Sequence, residues 1–257
     1  MGLGMEFKKA ASVLKGIPFT NPAKGRYLYD FVIAHRPERV LELGVAHGVS
    51  TCYFAAALQE VGGKIDCVDL QRVFEPSVEE LSARLGLQAL ITPYRELSSY
   101  TWFLKKIIEQ QTCDGFCEPV YDLCFIDGSK DWTNDGCAFF LVDKLLKPNG
   151  WLIFDDFTWT HRAHGRDKGY VFPRMSEEEL AEPHIESIFR LLVMQHPSYT
   201  QFEVRDDILG IARKGAGEAR ALLYTSQMTP AYLVRKAARI LLARLNRRQG
   251  ARVGSST

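Results

Sequence analysis

Short apolar runs alternate with amphipathic segments from about residue 21 to residue 155. The apolar runs are predicted as strands, at residues 40–43, 64–69, 87–92, 120–126 and 151–154. The amphipathic segments predict helices at about 21–35, 50–61, 76–85, 98–110 and 134–147. Because these strands are short and nearly continuously apolar, they indicate a parallel sheet with helices on both faces, the α/β class.

The pattern changes after residue 156. Residues 157–183 show no periodicity, and a loop of that length in a compact domain is more often functional than idle. A helix is predicted at about 184–194. Alternation then returns at 199–205 and 208–213, on either side of Asp206-Asp207, and predicts an antiparallel hairpin.

The segment Glu38–Thr51 is the centre of the predicted domain. Its strand runs into a turn with Gly44 and Gly48, and a helix begins near Val49. Such a turn places free backbone N–H groups of the helix beside a ligand. The second strand ends at Asp69, and a carboxylate there commonly holds a ribose diol. The residues therefore predict a nucleoside-cofactor site, with the cofactor still open.

Charge divides the chain into two parts. The net charge is +1, which does not point to nucleic acid as a partner. From Glu218 onward the chain contains eight basic residues and one acidic residue, so this last part is strongly basic. The preceding body is mildly acidic. We expect a domain over 1–216 with an N-terminal arm at 1–20, and a basic amphipathic extension over 217–257.

The extension predicts a helix from Pro230 to Arg248, with an apolar stripe opposite a basic face. Two readings remain open: a helix docked on the domain or on a second copy in a homodimer, and a helix that contacts a membrane surface or an acidic partner. No apolar run reaches the roughly 20 residues of a membrane span, and no signal peptide is apparent. The six cysteines include a lone Cys113/Cys117 pair, which disfavours zinc. We expect a cytoplasmic protein, with membrane association through the extension left open.

The motifs resemble a known family. The segment 42–51, ELGVAHGVST, resembles the first motif of class I S-adenosylmethionine (SAM) dependent methyltransferases, and it lacks the G-x-G-x-x-G of nicotinamide dehydrogenases. The segments 125–132 and 154–159 resemble paired motifs of the metal-dependent O-methyltransferases, of the catechol and caffeoyl-CoA types and more distantly the macrocin type. The resemblance covers about residues 22–214. It implies a doubly wound, mostly parallel seven-stranded sheet with an antiparallel C-terminal hairpin.

The resemblance also implies which residues bind SAM. Glu42, Gly44 and Ser50 would contact its methionine portion, Asp69 its ribose, and Gly48 would keep backbone close to the ligand. His47 is expected at the cofactor's edge rather than in catalysis. The alternatives are a structural ion pair for Glu42 and a helix cap for Asp69.

In the metal-dependent relatives, one carboxylate after the fourth strand and two oxygen ligands after the fifth hold a divalent cation. Asp127, Asp155 and Asp156 occupy those positions, although the catechol type usually has Asn at the last. Three hard oxygen ligands suit Mg²⁺. Without a cation the carboxylates would repel one another, so we expect positive charge nearby, with Lys130, Arg162 and Arg166 as the alternative partners.

Lys130 matches the catalytic base of the catechol type. Desolvation and a nearby cation would lower its pKa toward neutrality, whereas a solvated lysine paired with Asp131 is the structural alternative. His161 and His164 are rival bases, and Trp132 and Trp159 would wall an acceptor pocket under a lid formed by residues 157–183.

The resulting hypothesis is a SAM-dependent O-methyltransferase that acts on a hydroxyl of a small molecule or sugar, assisted by a divalent metal. In it, Asp127 both binds the metal and takes part at the cofactor. Two alternatives stay open: a metal-independent methyltransferase that acts on nitrogen or a sugar hydroxyl with a histidine base, and a non-catalytic protein that binds a membrane or partner through its basic extension.

Overall fold

The computed structural model describes residues 4–71, 74–165 and 175–217, together with Ala238. The helices are α1 (Met5–Val13), α2 (Pro22–His35), α3 (Val49–Val61), α4 (Val78–Leu85), α5 (Tyr100–Gln111), α6 (Trp132–Leu145), α7 (Glu177–Ala181) and α8 (His184–Ile188). The strands are β1 (Arg39–Leu43), β2 (Lys64–Leu70), β3 (Ile91–Glu96), β4 (Thr112–Cys113), β5 (Phe116–Cys117), β6 (Tyr121–Ile126), β7 (Leu146–Phe154), β8 (Tyr199–Arg205) and β9 (Leu209–Lys214). Short turns of other helix types lie at Gln88–Leu90, His161–Gly165 and Phe189–Val193.

Seven of the strands form one sheet, in the order β3-β2-β1-β6-β7-β9-β8. The first five in this order run parallel, and β9 is antiparallel to both of its neighbours. Two separate apolar clusters cover the two faces, one against α1 to α4 and the other against α5, α6 and α8. The predicted doubly wound α/β sheet with its C-terminal hairpin is therefore confirmed.

The strand order reverses between β1 and β6, which lie side by side at the centre of the sheet. In open α/β sheets a ligand crevice forms at such a switch point, beyond the carboxyl ends of the strands. The backbone N–H of Asp127 donates to the carbonyl of Leu43, 2.8 Å away, so the ends of the two strands are locked together. The residues that follow each strand therefore share one edge.

The observed boundaries differ from the predicted ones in four places. β3 begins at Ile91 instead of Leu87, since a tight helical turn at Gln88–Leu90 precedes it. β7 begins at Leu146, before the predicted Trp151. The hairpin of β4 and β5 was not predicted.

The N-terminal arm is the fourth difference. It contains α1, whose Ala10 is fully buried. Phe7 stacks on Tyr53 of α3, with ring centroids 5.6 Å apart. The arm therefore packs on the domain through α1.

The extension at 217–257, with its predicted helix Pro230–Arg248, lies almost entirely outside the described residues, as does Arg166. Their predictions stay as they were. In the part of the chain that is described, no helix has the length and hydropathy needed to cross a membrane.

Candidate active site

Gly44 begins the turn after β1 and touches the end of β6. Its φ is +88°, and a Cβ there would lie 2.1 Å from the carbonyl oxygen of Asp127. Only glycine combines that backbone conformation with so close an approach. The turn is thus fixed against the loop that carries Asp127.

Asp69 holds the same turn from the side of β2. One oxygen of its carboxylate accepts hydrogen bonds from the backbone N–H groups of Val45 (2.9 Å) and Ala46 (2.7 Å), and the other accepts from Leu70 (2.7 Å). The side chain therefore builds the turn rather than capping a helix. It also lines the cavity described below, where the oxygen bonded to Leu70 keeps acceptor capacity for a ligand.

Glu42 lies behind the cavity rather than in its wall. The side chain is fully buried, and its two oxygens accept hydrogen bonds from the hydroxyls of Ser50 and Thr51 in the first turn of α3. Burial raises the pKa of Glu42 to about 8, although both hydroxyls oppose that shift. In the structure Glu42 positions Ser50, which lines the cavity, and a direct contact of Glu42 with the cofactor stays a prediction.

For Gly48 the structure shows a packing reason for glycine, and the predicted closeness of its backbone to a ligand stays a prediction. Its φ is +86°, and a Cβ would lie 2.5 Å from the side chain of Val78 at the start of α4. Gly48 is absent from the cavity wall, so the position requires glycine because α3 and α4 approach closely there.

His47 lies in the cavity wall, within a group of three aromatic rings. A ring nitrogen, Nδ1, is 2.8 Å from the carbonyl oxygen of Pro76 and donates to it. The ring contacts Phe74 and Phe19, with centroids 5.1 and 5.7 Å away. These contacts agree with a place at the cofactor's edge.

Three carboxylates meet at the ends of β6 and β7. Asp127, Asp155 and Asp156 each offer an oxygen within 4.8 Å of the others, the spacing of a shared cation site. Asp155 is buried, and its Oδ1 has no hydrogen-bond partner among the described residues. An all-oxygen set with an unsatisfied buried carboxylate oxygen fits a hard divalent cation.

Two lysines supply the positive charge that was expected near this cluster. The ammonium of Lys130 lies 2.8 Å from Asp127 and 3.3 Å from Asp156, and Lys24 of α2 pairs with Oδ2 of Asp155. Of the two other predicted partners, Arg162 pairs instead with Glu177. Lys24 was not predicted.

These charges shift the pKa values of the cluster in opposite directions. Burial opposes ionisation of Asp127, but the charges of Lys130 and Lys24 outweigh it and lower its pKa. Burial and the charge of Asp127 together raise the pKa of Asp155. Burial disfavours the ammonium of Lys130, yet Asp127 and Asp156 raise its pKa well above the ordinary value. Among these aspartates alone the ammonium form of Lys130 is favoured, and the expected lowering of its pKa by a nearby divalent cation stays a prediction.

The loop of Lys130 is braced from beneath by a pair that sequence reasoning missed. The hydroxyl of Tyr100 donates to Asp135 and accepts from the backbone N–H of Ser129, 3.2 Å away. Asp135 is fully buried and also accepts from the N–H of Asp131 (3.1 Å). A Cβ on Gly128 would lie 2.4 Å from the Tyr100 hydroxyl, so the loop rests directly on this pair.

Two histidines join the segment after β7 to the same loop. Nε2 of His161 donates to the carbonyl of Lys130 (2.9 Å), and Nδ1 of His184 accepts from the N–H of Trp132 (2.8 Å). Burial lowers the pKa of His161 and favours its neutral form. With Nε2 carrying the proton, Nδ1 is the basic nitrogen. His161 and Trp159 line the cavity, whereas Trp132 does not, and the side chain of His164 is not described.

A cavity of about 720 Å³ collects these groups. That volume falls within the range of small-molecule and cofactor sites. One part of its wall is the glycine turn with Val49, Ser50, Asp69 and Leu70. Another part carries Asp127, Lys130, Asp156, Trp159 and His161. Of the predicted site residues, Glu42, Gly48 and Asp155 therefore lie outside the wall.

Residues 41–157 match a family model described as a methyltransferase domain. Among curated proteins, the chain is 28% identical over 146 residues to O-methyltransferase hkm8 of Aspergillus hancockii. The alignment covers 54% of this chain and 50% of that protein, so the chain spans about half the length of the curated relative.

Solved structures share the fold over most of the chain. An O-methyltransferase from Bacillus cereus in complex with SAH is 20% identical, with a TM-score of 0.55 and coverage of 81% of this chain and 88% of that one. A putative caffeoyl-CoA O-methyltransferase from Staphylococcus aureus is 18% identical, with a TM-score of 0.57 and coverage of 84% and 93%.

Proposed function

We propose that this chain, which carries a class I SAM-dependent methyltransferase domain, transfers the methyl group of SAM to a hydroxyl of a small molecule or sugar. One observation carries the proposal: a single cavity joins the Asp69-bound glycine turn to the Lys130 and aspartate cluster. The family predicted from the motifs is confirmed. The name of the hkm8 relative supports oxygen as the methylated atom.

The glycine turn and α3 would bind the cofactor. The first N–H groups of α3, at Val49 and Ser50, have no acceptor within the helix, and both residues line the cavity. They suit the carboxylate of the methionine portion. Asp69 has acceptor capacity left for one ribose hydroxyl. SAM supplies an electrophilic methyl group, so the remaining task of the protein is to align an oxygen with it.

The aspartate cluster and its neighbours would receive the acceptor. Lys130 would donate a hydrogen bond to the acceptor oxygen and stabilise the negative charge that develops there. Trp159 would pack on the body of the acceptor. Asp127, Asp155 and Asp156 would hold a divalent cation, whose chemistry when bound is to lower the pKa of a nearby hydroxyl.

Two residues suit the removal of the hydroxyl proton. Lys130 would accept it only as a neutral amine, whereas Asp127 and Asp156 raise the pKa of Lys130 and favour its ammonium form. Burial lowers the pKa of His161 and favours its neutral form, and His161 lines the cavity, so it is the other candidate in the absence of metal. A bell-shaped pH profile with one limb removed by His161→Gln would identify it as the base.

A metal-independent methyltransferase is the second candidate. It is favoured by the two ammonium groups, which already neutralise two of the three carboxylates. The acceptor would then bind to Lys130 directly. A contact of the basic extension with a membrane or a partner, and a homodimer, remain predictions from the sequence.

Calorimetry on the purified chain tests both candidates. SAM is titrated with Mg²⁺ and then with EDTA, and a catechol probe is added in each condition. SAM binding with probe binding only in Mg²⁺ supports the metal-assisted form, and Asp156→Ala, which removes the ligand oxygen, should then abolish probe binding while SAM still binds. Probe binding that survives EDTA supports the second candidate. No SAM binding in either condition contradicts both.

A further inference from the structure

Lys24 forms a buried ion pair with Asp155, and its side chain does not reach the cavity where a ligand would bind. Its side chain is 8% exposed, the Asp155 side chain is fully buried, and Lys24 is absent from the cavity wall. The two residues are 131 positions apart in the chain. The pair therefore joins α2 to the end of β7 beneath the site.

The place of Lys24 in its own helix gives no reason for a lysine. It is in the first turn of α2, where Asn21 caps the helix by accepting from the N–H of Lys24. A positive charge in that turn opposes the helix dipole. The positive charge of Lys24 is therefore stabilised only by Asp155 and the carboxylates beside it.

The placement of α2 is fixed independently of the ion pair. A Cβ on Gly25 would lie 2.2 Å from the ring of Tyr53, so α2 and α3 are in close contact one residue after Lys24. Packing of Gly25 on Tyr53 thus fixes α2, and α2 in turn fixes the backbone of Lys24 next to Asp155.

Charge around the cluster is unbalanced by one unit. When all three are ionised, as ligands of a cation would be, Asp127, Asp155 and Asp156 carry three negative charges, and Lys24 and Lys130 return two. A divalent cation added to this set would leave a buried site with excess positive charge, which is unfavourable at short range. If an uncharged side chain replaced Lys24, the same cation would balance the charge.

We propose that Lys24 is a built-in counter-ion that holds the carboxylate cluster together without a divalent ion and weakens its affinity for one. Lys24 occupies Oδ2 of Asp155 and leaves Oδ1 as the oxygen that Asp155 can offer. Lys24 is thus a positioning residue that sets how readily a cation exchanges. This inference rests on the metal-assisted form of the proposed function.

The variant Lys24→Met tests this inference. Mn²⁺ is the probe, and electron paramagnetic resonance measures how much of it stays free in solution. Lys24→Met should bind Mn²⁺ at least about tenfold more tightly than the parent chain. In EDTA its thermal midpoint should be lower, because Asp155 is left buried without its partner, and Mn²⁺ should restore it. Lys24→Arg, which keeps the charge, should stay within about threefold of the parent.

Lys147→Met is the matched control. Lys147 pairs with Asp122 at the opposite edge of the sheet, so this variant should leave Mn²⁺ affinity unchanged. If the parent does not bind Mn²⁺ but Lys24→Met does, the inference is supported. Weaker or unchanged Mn²⁺ affinity in Lys24→Met overturns it, and so does a lack of binding in every variant.

SAM titration on the same samples separates this inference from the proposed function. If no sample binds SAM, the methyltransferase proposal fails, while the Mn²⁺ result still decides the role of Lys24. If Lys24→Met is too unstable to purify in EDTA, purification in Mn²⁺ should recover folded protein, and failure there also overturns the inference.

Discussion

Replacing Glu42 by Gln should change how the stability of the protein depends on pH. Glu42 is fully buried, and burial raises its pKa from 4.5 to about 8. Between those two values the folded protein keeps a proton that the unfolded chain has released. Stability from this proton is therefore complete below the unfolded pKa and is lost as pH rises through the folded one.

The size of the effect follows from linkage. One proton held only by the folded state makes the free energy of unfolding fall by about 1.4 kcal/mol per pH unit. Between about pH 5.5 and 7.5 the contribution is about 3 kcal/mol. Gln cannot ionise, and the hydroxyls of Ser50 and Thr51 can rotate to accept from its amide. The variant should therefore lose this part of the pH dependence.

Urea unfolding at several pH values in this window measures the difference in slope between the parent and Glu42→Gln. Glu109→Gln is the control, since Glu109 is 61% exposed and its loss should leave the slope unchanged. Parallel curves for the parent and Glu42→Gln would refute the reasoning. They would mean that the two hydroxyl donors, rather than burial, decide the charge of Glu42.

Three further predictions concern the turn and its supports. Gly44→Ala should have a lower unfolding temperature than Gly62→Ala and should lose more SAM affinity. Both glycines have a φ of +88°, but of the two only Gly44 has a neighbour within 4 Å of the added Cβ. Equal results for the two variants would contradict this steric argument. Asp69→Asn should weaken SAM binding about tenfold or more and destabilise the fold by about 1–3 kcal/mol. The reason is that an amide whose oxygen accepts from the turn presents its N–H₂ group on the other side. Calorimetry measures the affinity and urea unfolding the stability, and an unchanged SAM affinity would argue against a ribose contact. Tyr100→Phe should lower kcat more than it raises the KM for SAM. The N–H of Ser129 and the carboxylate of Asp135 would each lose a hydrogen-bond partner beneath the loop that carries Lys130. A change in KM alone would contradict this role of Tyr100.

The sequence predicts the sheet and its functional edge well because both follow from local pattern. Nearly continuous apolar strands have to be buried on two faces, and parallel strands end at a common edge. Asp69 lies at the end of such a strand, and Asp127 and Asp156 follow the ends of two others within two residues, so their meeting at one cavity could be expected. The glycine at 44 is likewise required by the turn itself.

The supports of the site could not be predicted in the same way. Lys24 is at the start of an amphipathic helix, where a lysine ordinarily faces solvent, and its pairing with Asp155 depends on the tertiary fold. The contact between Tyr100 and Asp135 joins two different helices. Glu42 precedes the last residue of β1, and the sequence does not tell whether that side chain faces the cavity or the core.

For the proposed methyltransferase, the two imidazole hydrogen bonds, from His161 to the carbonyl of Lys130 and from the N–H of Trp132 to His184, limit how its acceptor can change. The segment after β7 contributes Trp159 and His161 to the wall, so it is where a change of acceptor would be made. The same segment holds the backbone on which Lys130 is mounted. Acceptor choice and catalytic geometry are therefore inherited together, and we expect that grafting this segment from a relative succeeds only when residues 127–132 are transferred with it.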